Sequence, residues 1–181
     1  MNKLREAIAF VEACNSLRIN NGDRAGLIRE AGSLGQVLSC LERCPDRHPG
    51  LLSRLKEESE RRCSHAYPAH WQAIVLDEPA YPKRLYHMSM PPTVLFVSGR
   101  DPTLADSAFV VAVIGSRKPS VYGVEVTKRL TADLAGREIP VVSGGARGID
   151  ALAHRTAISC GAPTLAVLGN GLGVTYPPEH R

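Results

Sequence analysis

The sequence predicts an α/β fold over residues 68–181, preceded by a small all-helical module over residues 1–67. Three observations carry this. The runs at 110–114 (Val-Val-Ala-Val-Ile), 139–142 and 164–168 are apolar without polar alternation, the pattern of strands buried on both faces of a parallel sheet. The first two runs lead into one repeated device, in which a glycine and a small polar residue precede an arginine and then a helical pattern: Gly115-Ser116-Arg117 and Ser143-Gly144-Gly145-Ala146-Arg147. Residues 1–67 show instead short 3.6-residue periodicities broken by turn residues. Repeated strand, turn and helix units make a Rossmann-like, mostly parallel sheet in a three-layer α/β/α sandwich.

Taken in order, Leu4, Ala7, Ile8 and Val11 mark one face of a first helix. Asn20-Asn21-Gly22-Asp23 is a turn that caps a second helix over 24–30, and Gly32-Ser33 restarts a third over 34–44. Pro45 and Gly50 bound an interruption, after which Leu51, Leu52, Leu55 and Glu58 open a charged amphipathic helix that reaches Cys63. Short helices around glycine turns read as a SAM-like or helix-hairpin-helix-like module. Ile19-Asn20-Asn21-Gly22-Asp23 matches a DNA-contacting hairpin only loosely, so the module reads as structural or partner-binding.

Tyr67-Pro68 marks the boundary. Strands follow at 73–76 and 94–97, with a turn or helix opened by Tyr81-Pro82 between them, and Gly99-Arg100-Asp101-Pro102 forms a turn before the strand at 110–114. A helix over 120–137 is signalled by Tyr122, Val126, Leu130 and Leu134 at four-residue spacing, read as its buried row. The helix over 148–160 turns Ile149, Leu152, Ala153 and Thr156 to the sheet, and the strand at 164–168 leaves Gly169-Asn170-Gly171-Leu172-Gly173 behind it. Right-handed crossovers bring the three turns together at the carboxyl edge of the strands, where open α/β sheets bind ligands.

Composition bounds the function without choosing it. A net charge of +4 is mild, and residues 1–70 and 71–181 each carry eleven Lys/Arg against nine Asp/Glu, so any polyanion must be held by a few placed cations. The apolar stretch at 7–14 is too short to span a membrane and contains Glu12, and no secretory signal follows Met1; a cytoplasmic protein is expected. Five scattered cysteines argue for reduced thiols. Cys40, Cys44, His48, Cys63 and His65 fit no common zinc spacing, and no metal is expected.

The two arginine turns describe a phosphate site. Glycines at 115, 144 and 145 allow positive φ and let a ligand approach the backbone, and the amides opening the next helix attract an anion. Arg117 and Arg147 supply bidentate forks. Ser116 and Ser143 offer hydroxyl and backbone donors, Lys118 adjoins the site, and Asn170 has a donor for a phosphate or base. Arg155 is a weaker candidate, and Tyr176 is expected to pack under its loop. The phosphate belongs to a nucleotide or to a nucleic-acid backbone.

Gly115-Ser116-Arg117-Lys118-Pro119 with Tyr122-Gly123, Ser143-Gly144-Gly145-Ala146-Arg147-Gly148-Ile149-Asp150 with His154-Arg155, and Ala166-Val167-Leu168-Gly169 followed by Tyr176-Pro177-Pro178-Glu179-His180 together resemble the DNA-processing family DprA/Smf. Order and spacing agree over residues 72–181, including Tyr81-Pro82 and the segment from Pro91 to Gly99. The resemblance implies a single-stranded DNA-binding protein that protects incoming DNA in natural transformation and loads RecA, without enzymatic activity or cofactor, and a homodimer in full-length relatives. It implies that Arg117 and Arg147 hold the single strand, the position of Arg147 being often lysine in the family; with the residues read from the turns themselves, the candidate DNA- and phosphate-binding set is Gly115, Ser116, Arg117, Lys118, Ser143, Gly144, Gly145, Arg147 and Asn170. Family members continue past Tyr-Pro-Pro-x-His with more sheet, so the chain reads as shortened at its C-terminal end, with an open sheet edge.

Two enzymatic readings compete. Asp150 and His154 stand four residues apart on one helix, as an acid/base pair would, although a carboxylate in a first helical turn is favoured by the dipole alone. Ile114-Gly115-Ser116-Arg117-Lys118 lacks the Gly-x-Ser-x-Gly frame of a serine hydrolase. The Ser-Gly-Gly turn also resembles nucleoside-monophosphate phosphoribohydrolases of the lysine-decarboxylase-like group. Their Pro-Gly-Gly-x-Gly-Thr turn and following glutamate do not occur here, and Gly169 to Gly173 is no dinucleotide fingerprint.

Overall fold

The computed structural model of the protein describes residues 2–99 and 102–178. The chain divides into two compact units, Met1–Arg100 and Asp101–Arg181.

In the first unit, α1 (Lys3–Ser16) is capped by Asn2, whose Oδ1 accepts the Leu4 N–H at 3.0 Å. Asn20 caps α2 (Asn21–Ala31) in the same way, accepting the Asp23 N–H at 3.0 Å, and α2 stops at Gly32 in the left-handed region. A single 3₁₀ turn then runs into α3 (Val37–Arg43), and α4 (Leu51–Cys63) spans the range its apolar spacing predicts. Ala7, Phe10, Ala13, Val37, Leu41 and Leu51 are buried where the four helices meet. β1 (Trp71–Val75) pairs antiparallel with β2 (Val94–Ser98), with the one-turn helix α5 (Lys83–Tyr86) between them.

The sequence puts a boundary after residue 67, whereas the compact units divide after Arg100. The reason is burial: Ala73 and Val75 of β1 sit in the same core as α1 and α4, while Ile74 and Leu76 pack with Tyr81 and Ala25. The Gly99-to-Pro102 turn includes Arg100 and Asp101, which lie outside the described residues.

The second unit is the α/β part. β3 (Val111–Ala112), β4 (Val141–Gly144) and β5 (Thr164–Val167) form a parallel sheet in that spatial order, with α6 (Val121–Ala135) and α7 (Ile149–Ser159) as the crossovers. Val111 stands opposite Val141, and Gly144 opposite Val167. Consecutive strands in consecutive order, joined by right-handed crossovers, place both helices on one face of the sheet. The core follows that geometry: Val113 and Val141 are buried with Ile149 and Ala153 of α7, and Val111 and Leu134 pack beside them.

This corrects the expectation that the strands are buried on both faces. Ile114 is 74% exposed and Val167 is 63% exposed, so the apolar runs have one covered face and one open face among the described residues. Sequence periodicity also misplaced most of the buried row of α6: of its four members only Leu134 packs against the core. Tyr122, Val126 and Leu130 are exposed, and the buried positions are Thr127 and Thr131. Near the start of α6, a Cβ at Gly123 would stand at ordinary contact distance from α7, 3.9 Å from Ile149 Cδ1. On α7 the buried set is Ile149, Asp150, Ala151, Ala153 and Ala157, so Ile149 and Ala153 face inward as expected, while Leu152 and Thr156 are only half-buried.

Thr131 has no exposed surface, and its hydroxyl has no hydrogen-bond partner among the described residues. A buried hydroxyl left unpaired costs free energy that an isosteric methyl does not. Thr131→Val is therefore expected to stabilise the chain by roughly 1 kcal/mol, read as a higher urea midpoint at unchanged slope.

Candidate phosphate-binding site

The site is built where β3 and β4 end. After Val113, whose N–H donates to Val142 O at 2.9 Å, the chain leaves the sheet as Gly115-Ser116-Arg117. Ser116 Oγ accepts the Lys118 N–H at 3.1 Å, which folds this turn on itself before Ser120 caps α6 by accepting the Gly123 N–H at 3.1 Å. The second turn runs from Gly144 to Gly148, where α7 begins.

The two turns are in backbone contact. Ile149 N–H, the first amide of α7, donates to Ser116 O at 3.1 Å. A Cβ on Gly148 would lie 2.2 Å from Ser116 O and 2.8 Å from Arg117 Cα, so only a glycine permits this approach. Gly148 also has φ +81, a conformation that side chains disfavour. Arg117 in one turn and Arg147, immediately before Gly148, thus leave neighbouring stretches of backbone, and both side chains are exposed. Lys118 is exposed beside the first and Arg155 along α7, and Arg147 is engaged by its surroundings.

Three expectations for individual residues are corrected. Gly115, Gly144 and Gly145 do not adopt positive φ; they are small because of what touches them. A Cβ at Gly115 would meet Ile149 at 2.8 Å, one at Gly144 would meet Asp150 Oδ2 at 2.6 Å, and one at Gly145 would meet Leu168 at 2.7 Å. Ser143 is 3% exposed and its hydroxyl donates inward to Val113 O at 2.5 Å, so it ties β4 to β3 and offers no side chain to a ligand. It follows the strand's alternation, which turns residue 143 to the helix-covered face with Val141. Tyr176, expected to pack, is 43% exposed.

Asn170 clasps its own loop: Nδ2 donates to Val174 O at 2.6 Å and to Gly171 O at 3.2 Å, so its amide hydrogens are already in use. Asp150 and His154 lie behind the second turn. Asp150 is 8% exposed and packs against Gly144. The His154 ring lies between Gly144 O, 2.9 Å from Nε2, and Thr164 Oγ1, 2.8 Å from Nδ1. Neither is aimed outward as an acid or base. Among the described residues no group of His, Cys, Asp or Glu is placed to hold a metal ion, and no helix is long and apolar enough to cross a membrane.

Gly148 is the position in the paired turns that sequence reasoning missed. Its signal was present, a glycine directly between the second arginine and the helix, but its reason is a contact across thirty residues of chain, with Ser116 and Arg117. Arg117, Lys118, Gly115, Gly144, Gly145 and Arg147 are brought to one strand edge; Ser143 is turned away from it.

The profile of the family described as DNA recombination-mediator protein A matches residues 72–181. The chain is similar to DNA processing protein DprA of Streptococcus pneumoniae, 37% identical over 151 residues that cover 83% of this chain and 50% of that protein. It is also similar to Protein Smf of Escherichia coli, 38% identical over 118 residues covering 65% of this chain and 31% of that protein. The chain therefore spans half or less of the length of these relatives. Among solved structures, DprA from S. pneumoniae superposes with a TM-score of 0.62 over 98% of this chain and 56% of that one, at 24% identity, a likeness of fold. DNA processing protein A from Helicobacter pylori, described for its mode of single-stranded DNA binding, gives a TM-score of 0.52 at 33% identity over 61% of this chain and 48% of that one.

Proposed function

The chain belongs to the DNA recombination-mediator protein A family, and from that membership we propose that it binds single-stranded DNA through its phosphates at the paired turns. The observation that carries the reading is the backbone contact between Gly148 and the Ser116-Arg117 turn, which sets two exposed arginines on adjoining strand ends. Guanidinium groups beside turn amides hold phosphate by charge and by bidentate geometry. One strand with its phosphates accessible is the polymer that a short cationic ridge can follow.

The role is binding without cleavage. Support comes from His154, whose ring nitrogens both face internal partners, and from Asp150, which is packed against Gly144, so the two residues best suited to acid or base work are committed to the scaffold. By its resemblance to DprA/Smf proteins, the chain acts in the cytoplasm on incoming DNA during transformation and hands it to RecA, with dimerisation in longer relatives.

Fluorescence anisotropy with a labelled oligo-dT, set against the same length of duplex, tests the reading. Single strands are expected to bind more tightly than duplex, and log K is expected to fall with log salt at a slope of about −1.4 if two phosphates are neutralised. No binding at low salt would reject it. Incubation with nucleoside monophosphates separates the enzymatic alternative, because release of free base would favour a phosphoribohydrolase.

A further inference from the structure

The segment that leads from α4 into β1 concentrates rings and cations. Arg61, Arg62, His65, Tyr67, His70 and Trp71 fall within it, and residues 61–76 contain no Asp or Glu. The fold gathers the rings into one strip. His65 and Tyr67 have centroids 5.4 Å apart at a tilt of 39°, Tyr67 and Trp71 lie 6.3 Å apart at 33°, and His70 meets Trp71 edge-on at 6.5 Å. Each ring is thus in aromatic contact with the next.

The strip is anchored on one side and open on the other. Tyr67 and Trp71 are half-buried and pack against the core that α1, α4 and β1 share. Arg62 Nη1 donates to Tyr67 Oη at 3.3 Å, which holds the middle ring by its hydroxyl end. Core packing accounts for Tyr67 and Trp71, but His65 and His70 are exposed and add nothing to the core. At the helix end, Arg61 and Arg62 share the carboxylate of Glu58 at 3.0 and 3.4 Å, and Arg5 donates to Cys63 O at 2.8 Å. Fixed rings beside guanidinium groups match a polymer that alternates flat bases with phosphates, and only a single strand leaves the faces of its bases open.

We propose that the His65–Tyr67–Trp71–His70 strip is a base-stacking surface for single-stranded DNA, with Arg61 at its end for a phosphate. The polymer is the one proposed above; the strip adds a contact to its bases where the paired turns hold its phosphates.

Trp71 is the single tryptophan of the chain, so its fluorescence reports this surface. Oligo-dT is expected to quench that emission to saturation. A strand of abasic deoxyribose phosphates, which keeps the charge and lacks the bases, is expected to bind the chain and leave the emission unchanged. His65→Ala combined with His70→Ala alters only exposed positions; it is expected to weaken oligo-dT binding on the order of tenfold while the abasic strand binds as it does to the native chain. Anisotropy that shows oligo-dT binding while the emission stays still would overturn the stacking surface and leave the phosphate reading standing. Equal quenching by the abasic strand, or native affinity in the double histidine variant, would overturn it as well. Quenching that Arg117→Glu with Arg147→Glu does not shift would support the strip and remove the paired turns, and a native chain that binds no oligo-dT by either readout would remove both.

Discussion

Replacing Arg117 and Arg147 together with glutamate is expected to weaken oligo-dT binding by a factor on the order of 100 or more. Each guanidinium–phosphate contact is a charge-assisted hydrogen bond worth about 1.5–3 kcal/mol, and reversal adds repulsion to its loss. The salt slope should collapse towards zero at the same time, because no counterion is released where no phosphate is neutralised. Arg117 is exposed, so its reversal should change stability by no more than about 0.5 kcal/mol, and circular dichroism should show a native fold. Arg147 is engaged by its surroundings, which makes Arg147→Lys the useful companion. If charge is what the second turn supplies, the lysine variant retains most of the affinity; if the guanidinium fork is needed, it falls towards the glutamate variant. Anisotropy titrations at two salt concentrations check all of this, and an unchanged affinity in the double variant would remove the assignment.

The second large effect is expected from one methyl group. Gly148→Ala would put a Cβ 2.2 Å from Ser116 O, a backbone atom that cannot swing aside, at a residue with φ +81 and ψ −125. Strain in that region and overpacking against backbone together cost on the order of 3 kcal/mol or more. Whatever relaxation the chain finds must part the Ser116-Arg117 turn from the start of α7, and the Ile149 N–H to Ser116 O bond with it. The variant is expected to lose both urea resistance and oligo-dT binding. Gly171→Ala is the control, since a Cβ there meets nothing within 4 Å and its φ is unremarkable; it should be silent in both measurements.

Local chemistry made much of this molecule legible before any coordinates. Asn20 announces the start of α2 because a side-chain oxygen there satisfies an amide that the helix leaves free, and it does so with the Asp23 N–H. Leu51, Leu52 and Leu55 mark α4 by a spacing that only a helix turns into one face. The strand–turn–helix repeats gave the parallel sheet and brought Arg117 and Arg147 to one edge, since crossover handedness leaves few alternatives.

Side-chain direction was not legible in the same way. Tyr122, Val126 and Leu130 promise a buried row by size and period, yet the buried positions of α6 are Thr127 and Thr131, on a face that only the packing of the unit selects. Ser143 looks like a ligand hydroxyl until the strand's alternation turns it towards Val113 O.

What the sequence alone determined is therefore the set of elements, their order and the strand edge at which the cations gather, because those follow from interactions within a few residues and from chain handedness. What the tertiary structure decided is which atoms face outward, why Gly148 admits no side chain and where His154 and Asp150 are committed. Those outcomes depend on how closely two segments distant in the chain approach, and the distance between Gly148 and Ser116 is a property of packing that no local pattern encodes.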